Sequence, residues 1–174
     1  MPQIPQKLSD YMVYVAGTNS QLGNGDVTLP SFEAMTSEVG GGGIYGGLEI
    51  PTPGMFGPQT FSIAFNTISK DVLSMMGPDV VKLEMFASQQ SWDTGQSKIV
   101  NEGLKVVAWG LAKNLELGTL TKNDSTGTTL EFELTYIKIF ISGTAIFELD
   151  KLNYIYRING KDANIDIRKN LGMA

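Results

Sequence analysis

The chain has 174 residues, 42% of them apolar and 18% charged, with 13 Lys plus Arg against 18 Asp plus Glu and neither Cys nor His. That composition predicts one globular domain spanning 1–174, and the two missing residue types exclude a His-based triad, a Cys nucleophile, a zinc site of the usual N/S kind and a disulfide framework. A formal charge of −5 with only two guanidinium groups, Arg157 and Arg168, argues against a protein that holds nucleic acid, because phosphate binding needs a basic stripe.

In chain order, the opening run Met1 to Lys7 carries two prolines and no apolar segment, so a signal peptide is not expected. No apolar run approaches the length of a membrane span, and the expected compartment is cytoplasmic. Strands are predicted over Tyr11 to Ala16 and Val27 to Met35, with Asn24-Gly25-Asp26 as a loop. Six glycines then fall between Gly40 and Gly47, followed by Pro51, Pro53, Gly54, Gly57 and Pro58. This Gly/Pro-rich arm, at about 38–58, is costly to order alone, so a partner or neighbouring subunit is expected to order it. Gly41-Gly42-Gly43-Ile44-Tyr45-Gly46 has the letters of a dinucleotide fingerprint. The fingerprint needs a strand before, a helix after and an acidic residue about 20 positions on, and none of that context is present.

Period-two alternation dominates the remainder. Thr60 to Ile68 places Phe61, Ile63 and Phe65 on one face and Thr60, Ser62, Ala64 and Asn66 on the other, as a half-buried antiparallel strand requires. Ser69 is placed to cap a short helix, with Asp71 in its first turn, Val72, Met75 and Met76 on one face, and Gly77-Pro78 ending it. Val81, Leu83, Met85 and Ala87 alternate again, and a strand is expected over Gly103 to Leu117. Asn123 to Gly127 reads as a loop. Its Asn123-Asp124-Ser125 fits a glycosylation sequon, which has no use without secretion.

Leu130, Phe132, Leu134 and Tyr136 alternate against Glu131, Glu133 and Thr135, after which Ile137 to Ile141 is apolar on both parities, indicating a bulge or burial on both faces. Strands over Ala145 to Asp150 and Leu152 to Ile158 are separated from their neighbours by Ser142-Gly143-Thr144 and Asn159-Gly160, the latter suited to a type I′ turn. A second helix is expected over Asp162 to Leu171. The fold class is therefore mainly β, an antiparallel sandwich or barrel with one or two short helices.

Candidate chemistry is sparse. Glu131 and Glu133 share a strand face, but acid/base pairs generally face each other across a cleft, and same-face glutamates on a strand read as solvated. Asp162 and Asp166 lack the Gly-containing loop of a calcium site. Trp92 and Trp109 suit a sugar-binding platform, although rings ordinarily serve packing. No catalytic, metal or cofactor-binding residue is nominated, and the chain is not expected to be an enzyme. Two readings remain: a self-assembling structural subunit, and a monomeric β-sandwich module binding carbohydrate or protein.

Several segments, in order, resemble the major tail tube proteins of contractile-tailed bacteriophages and related bacteriocin particles. They are Pro5 to Tyr11 with Val13-Tyr14-Val15 and Gly17; Glu38 to Ile44; Leu48-Glu49-Ile50 with Gly54; and the short helix Ser69 to Gly77. The C-terminal third carries most of the likeness, through Leu134 to Lys138, Gly143, Phe147 to Asp150, Asn153 to Ile155, Ile158 to Asp162 and Arg168 to Gly172. Gly40 departs from the Arg that the family often carries there, and 88–98 and 118–127 match poorly.

The resemblance implies hexameric rings stacked into a tube, with strands of each subunit joined in an inner β-barrel and a long hairpin arm reaching neighbours. Gly40, Gly41, Gly42, Gly43, Ile44, Tyr45, Gly46 and Gly47 would then form the intersubunit arm. Thr60, Ser62, Asn66, Glu131 and Glu133 are the expected lumen face. The implied partners are further copies of the chain, a surrounding sheath protein, a tape-measure protein inside and baseplate or terminator proteins at the ends, with no cofactor and no membrane insertion. Six copies would carry about −30 per ring, letting DNA pass without sticking. The implied location is a virion tail or tail-like particle assembled in the bacterial cytoplasm.

Overall fold

The computed structural model describes residues 3–17, 21–22 and 24–173. Met1 and Pro2 of the opening run lie outside the described residues. The elements run β1 (Gln3–Val15), β2 (Asn24–Thr28), β3 (Ala34–Gly41), β4 (Ile44–Phe56), β5 (Thr60–Phe65), α1 (Lys70–Ser74), β6 (Val81–Asp93), β7 (Lys98–Glu116), β8 (Thr128–Ile141), β9 (Thr144–Asp150), β10 (Ile155–Ile158), β11 (Lys161–Asp162) and α2 (Ile165–Asn170). The mainly β, antiparallel class expected from the alternation is what the chain adopts.

Nine strands form one sheet in the order β1-β6-β7-β8-β9-β10-β11, with β5 also on β8 and β2 on β5. Strands β3 and β4 form a separate two-stranded ribbon. The main sheet forks at Thr135. Register passes from Trp109↔Tyr136 to Gly110↔Leu134, leaving Thr135 as the extra residue of a bulge. Inward parity shifts with it: Leu130, Phe132 and Leu134 are buried before the bulge and Ile137 after it. The free edge of β8 consequently takes β5 up to Glu133 and β9 from Tyr136 onward.

The core lies on the inward face of this forked sheet. Val13, Leu83, Val106, Phe61, Ile63, Leu130, Phe132 and Leu149 are all at most 3% exposed. Phe61 and Phe132, directly opposed across β5 and β8, stack at 4.8 Å. Helix α1 closes one side, capped by Ser69 Oγ accepting from Val72 N at 3.3 Å, and it buries Val72 and Met75. Met76, expected on that face, is exposed because the helix has already ended at Ser74.

Several boundaries differ from the expectations. Asn24-Gly25-Asp26 is strand rather than loop, because β2 finds its pairing on β5. The strand expected to reach Met35 stops at Thr28, ahead of Pro30, which has no N–H to donate. Residues 151–154 turn, so β10 starts only at Ile155, and the second helix shortens to α2 because Lys161 and Asp162 pair with β10 instead. Strands β1, β6 and β7 extend well beyond the expected ends, pairing from Gln3↔Asp93 and Asp93↔Lys98 inward. Both short hairpins were legible: Ser142-Gly143 and Asn159-Gly160 each have positive φ at both residues, as type I′ turns require.

Candidate functional site

Strands β5, β8 and β7 turn a polar surface outward, opposite the core. Thr28, Ser62, Glu131 and Asn114 form one cross-strand row, and Thr60, Glu133 and Leu111 the next. Four of the five expected lumen residues therefore share one face. Asn66 lies beyond the end of β5, in a bend whose carbonyl accepts from Thr126 N at 2.9 Å.

The two glutamates on this face do different work. Glu131 accepts from Asn114 Nδ2 at 3.3 Å. Glu133 accepts from the backbone N–H of Gln59 at 3.0 Å and pairs with Lys113 at 3.4 Å and Lys151 at 3.8 Å. Lys113 also donates to Thr60 Oγ1 at 2.6 Å. Burial lowers the Lys151 pKa, an effect the Glu133 carboxylate opposes. Reading both glutamates as merely solvated thus fails for Glu133, which ties β5, β7 and the chain after β9 together at the fork.

A second polar network crosses β8, β9, β10 and α2. Glu148 bonds to Lys138 at 3.5 Å, Arg157 at 3.0 Å and the Tyr136 hydroxyl at 3.0 Å. Arg157 reaches on to Asp162 at 3.4 Å, and Arg168 pairs with Asp162 at 2.5 Å while donating to the Tyr154 carbonyl at 2.8 Å. Burial works against the Glu148 charge, yet hydrogen bonds from Tyr136 and Arg157 and the nearby Lys138 hold its carboxyl below the ordinary value. The hydrogen bond from Arg168 does the same for Asp162, and burial beside Glu148 pushes the Tyr136 hydroxyl well up. Asp162 is thereby engaged by two arginines. The Asp166 side chain is 86% exposed and pairs with Lys169 at 3.8 Å, and among the described residues no cluster suits a metal ion.

The tryptophans do not assemble into a platform. Both lie on the same sheet face, but Trp109 opposes Lys82 while Trp92 is ten residues further along β6, about 33 Å at strand rise. Trp109 is covered by Lys82 at 4.4 Å and by the Tyr136 ring at 4.4 Å.

The Gly/Pro-rich arm is a hairpin, as the resemblance implied, with register shifts at its root and near its tip. Strands β3 and β4 pair from Ala34↔Phe56 to Gly41↔Ile44, with Gly42-Gly43 as the turn and Tyr45 fully exposed near the tip. Its root is held by Phe32, Phe56, Phe147 and Tyr156, whose rings meet edge to face at 4.8 to 5.9 Å. Gly54 sits against the body there with φ +74°, and a Cβ on it would lie 2.8 Å from Tyr156 Cβ and 2.6 Å from Asn164 Nδ2. Beyond that root every residue from Met35 to Pro51 is exposed.

The model of the phage tail tube protein FII family matches residues 5–172. This chain belongs to that family. Curated relatives agree. The chain is similar to the major tail tube protein of Serratia phage KSP20, at 26% identity over 91% of both chains. It is also similar to the tail tube protein of Escherichia phage P2, at 24% identity over 98% of this chain and 99% of that one. Phage tail tube proteins are structural, so membership agrees with the expectation that this chain is not an enzyme. It also gives the open arm a context: a ribbon exposed from Met35 to Pro51, beyond its packed root, in a family named for an assembly.

Proposed function

We propose that this chain is the repeating subunit of the inner tube of a contractile phage tail or tail-like particle, with six copies forming a ring and rings stacking into a hollow conduit for DNA or effectors. The observation that carries this reading is the arm: a β3–β4 ribbon exposed at every residue from Met35 to Pro51, with apolar side chains along it. An isolated two-stranded hairpin is marginal in water, so it gains its stability from a neighbouring copy. Residues Gly40 to Gly47 form the tip that reaches that neighbour, and 1–174 act as one tube domain.

The polar face is the proposed lumen. Thr60, Ser62 and Glu131 offer small hydroxyls and a carboxylate with no ion-pair partner among the described residues, a surface that repels phosphate without binding it. Glu133 belongs to that face by position, but its charge is spent on Lys113 and Lys151. A sheath outside, a tape-measure protein within and capping proteins at the ends complete the particle. Negative-stain microscopy of the concentrated, purified chain tests the assembly: hollow rods are expected, and persistent monomers at every concentration would refute it.

A further inference from the structure

The polar face continues past the fork onto a surface of different composition. On β7, Trp109, Val107 and Lys105 follow Leu111 on the outward side, with the buried Gly110, Ala108 and Val106 between them. Cross-strand register sets Lys82 and Tyr136 beside Trp109, Glu84 and Lys138 beside Val107, and Phe86 and Phe140 beside Lys105. Lysines and aromatic rings therefore alternate across β6, β7 and β8. That is the composition of a surface that binds single-stranded nucleic acid, with rings on which bases stack and cations for the phosphates.

Here the two components occupy one another. Lys82 Nζ lies over the Trp109 ring at 4.4 Å, Lys105 Nζ over Phe86 at 4.9 Å and Lys138 Nζ over Phe140 at 5.4 Å. Lys105 also pairs with Glu84 at 3.2 Å, and Lys138 with Glu148 at 3.5 Å. Each ammonium covers a ring face on which a base would stack, and each ring or carboxylate holds an ammonium back from a phosphate. The side chains of Lys105 and Lys138 are only 34% and 27% exposed, so they lie along the sheet instead of extending into solvent.

Resting on the tube reading above, we infer that the channel wall extends over this face and that the face is a masked polyanion-binding surface: Glu84, Phe86, Trp109, Phe140 and Glu148 are positioning residues that keep three lysines from gripping passing DNA. Lysines left free on a channel wall would hold DNA, because phosphate contacts add along a strand and every copy in a ring would repeat them. The zone around Thr60, Ser62 and Glu131 avoids binding by the sign of its charge. The lysine zone avoids it by seating each cation on its own chain.

Fluorescence anisotropy of a labelled single-stranded DNA at low salt reads the mask on dispersed subunits. Glu84→Gln with Phe86→Leu removes both seats of Lys105 at partly exposed positions. Binding should tighten about tenfold, and adding Lys105→Gln should abolish the gain. Glu84→Gln alone covers the case in which the double variant does not fold, and should tighten binding about threefold. Binding no tighter than that of the unmodified chain, or a gain that survives Lys105→Gln, contradicts the inference. Rods locate the face: DNA taken up by rods of the double variant should resist nuclease. DNA that stays nuclease-sensitive on intact rods puts these lysines outside the channel and overturns the wall assignment, whereas absence of rods from the unmodified chain sinks the tube reading itself.

Discussion

Replacing Glu133 by Ala should destabilise the subunit far more than the same change at Glu131, although the two glutamates lie on one strand face. Glu133 is 33% exposed and receives a backbone N–H from Gln59 at 3.0 Å together with Lys113 and Lys151. A hydrogen bond to a charged group contributes about 1.5–3 kcal/mol. Each part-exposed lysine pair adds roughly 0.2–1 kcal/mol, giving about 2–5 kcal/mol for Glu133→Ala. For a chain of this length that corresponds to a Tm lower by about 4–20 °C. Glu131 loses only the contact from Asn114 at 3.3 Å, so Glu131→Ala should cost below about 1 kcal/mol. The assay is thermal unfolding followed by circular dichroism, on subunits kept too dilute to assemble, with Glu133→Gln expected between the extremes because it keeps an acceptor for Gln59. Equal shifts for the two alanine variants would refute the assignment of Glu133 to the sheet fork.

Three further outcomes follow from the geometry. Gly54→Ala forces a Cβ against Tyr156 and Asn164 at positive φ, so it should loosen the arm root and raise hydrogen exchange from Ala34 to Phe56 while the β6–β7 core stays protected; unchanged exchange at the root would contradict that packing. Glu148 and Asp162 have folded pKa values below their ordinary 4.5 and 3.8, so their contribution is present above those values and lost as pH falls through the folded ones. Tm should therefore drop below about pH 4.5, less steeply in Glu148→Gln; the raised Tyr136 pKa adds a loss above pH 10 that Tyr136→Phe should remove. Glu131→Lys, which spares Glu133, should leave rod length normal and slow DNA ejection, and unaltered ejection would take Glu131 out of the lumen.

Much of this was legible in the sequence where one physical signal acts alone. Alternation around Phe61 and Phe132 located the core strands, the two-sided apolar run after Tyr136 signalled a bulge or burial on both faces, with the bulge itself at Thr135, and Asn159-Gly160 marked a hairpin turn whose second strand, Lys161–Asp162, overlaps the helix expected from Asp162. The outer halves of β1, β6 and β7 were not legible, because a run such as Ser88-Gln89-Gln90-Ser91 is polar on both faces and carries no period-two contrast. Long-range register hid the functional pairings. Glu133 meets lysines 20 residues upstream on β7 and 18 downstream after β9, and only the fork brings them together. Lys138 faces Glu148 because register shifts between Ile139 and Phe140; the Ser142-Gly143 turn by itself would set Lys138 against Phe147. The arm was recognised by composition and expected as a hairpin from the resemblance, but its register was hidden, and the opposition of Glu38 to Glu49 depends on a bulge near the tip.

The central claim is a hollow tube of this chain with the β5–β8–β7 polar face inside. Helical reconstruction of the assembled rods by electron cryo-microscopy tests it most directly. The account predicts six-subunit rings around an open channel, with Thr60, Ser62 and Glu131 on the channel wall. Rings of another number, a filled fibre, or that face turned to the outside would contradict it.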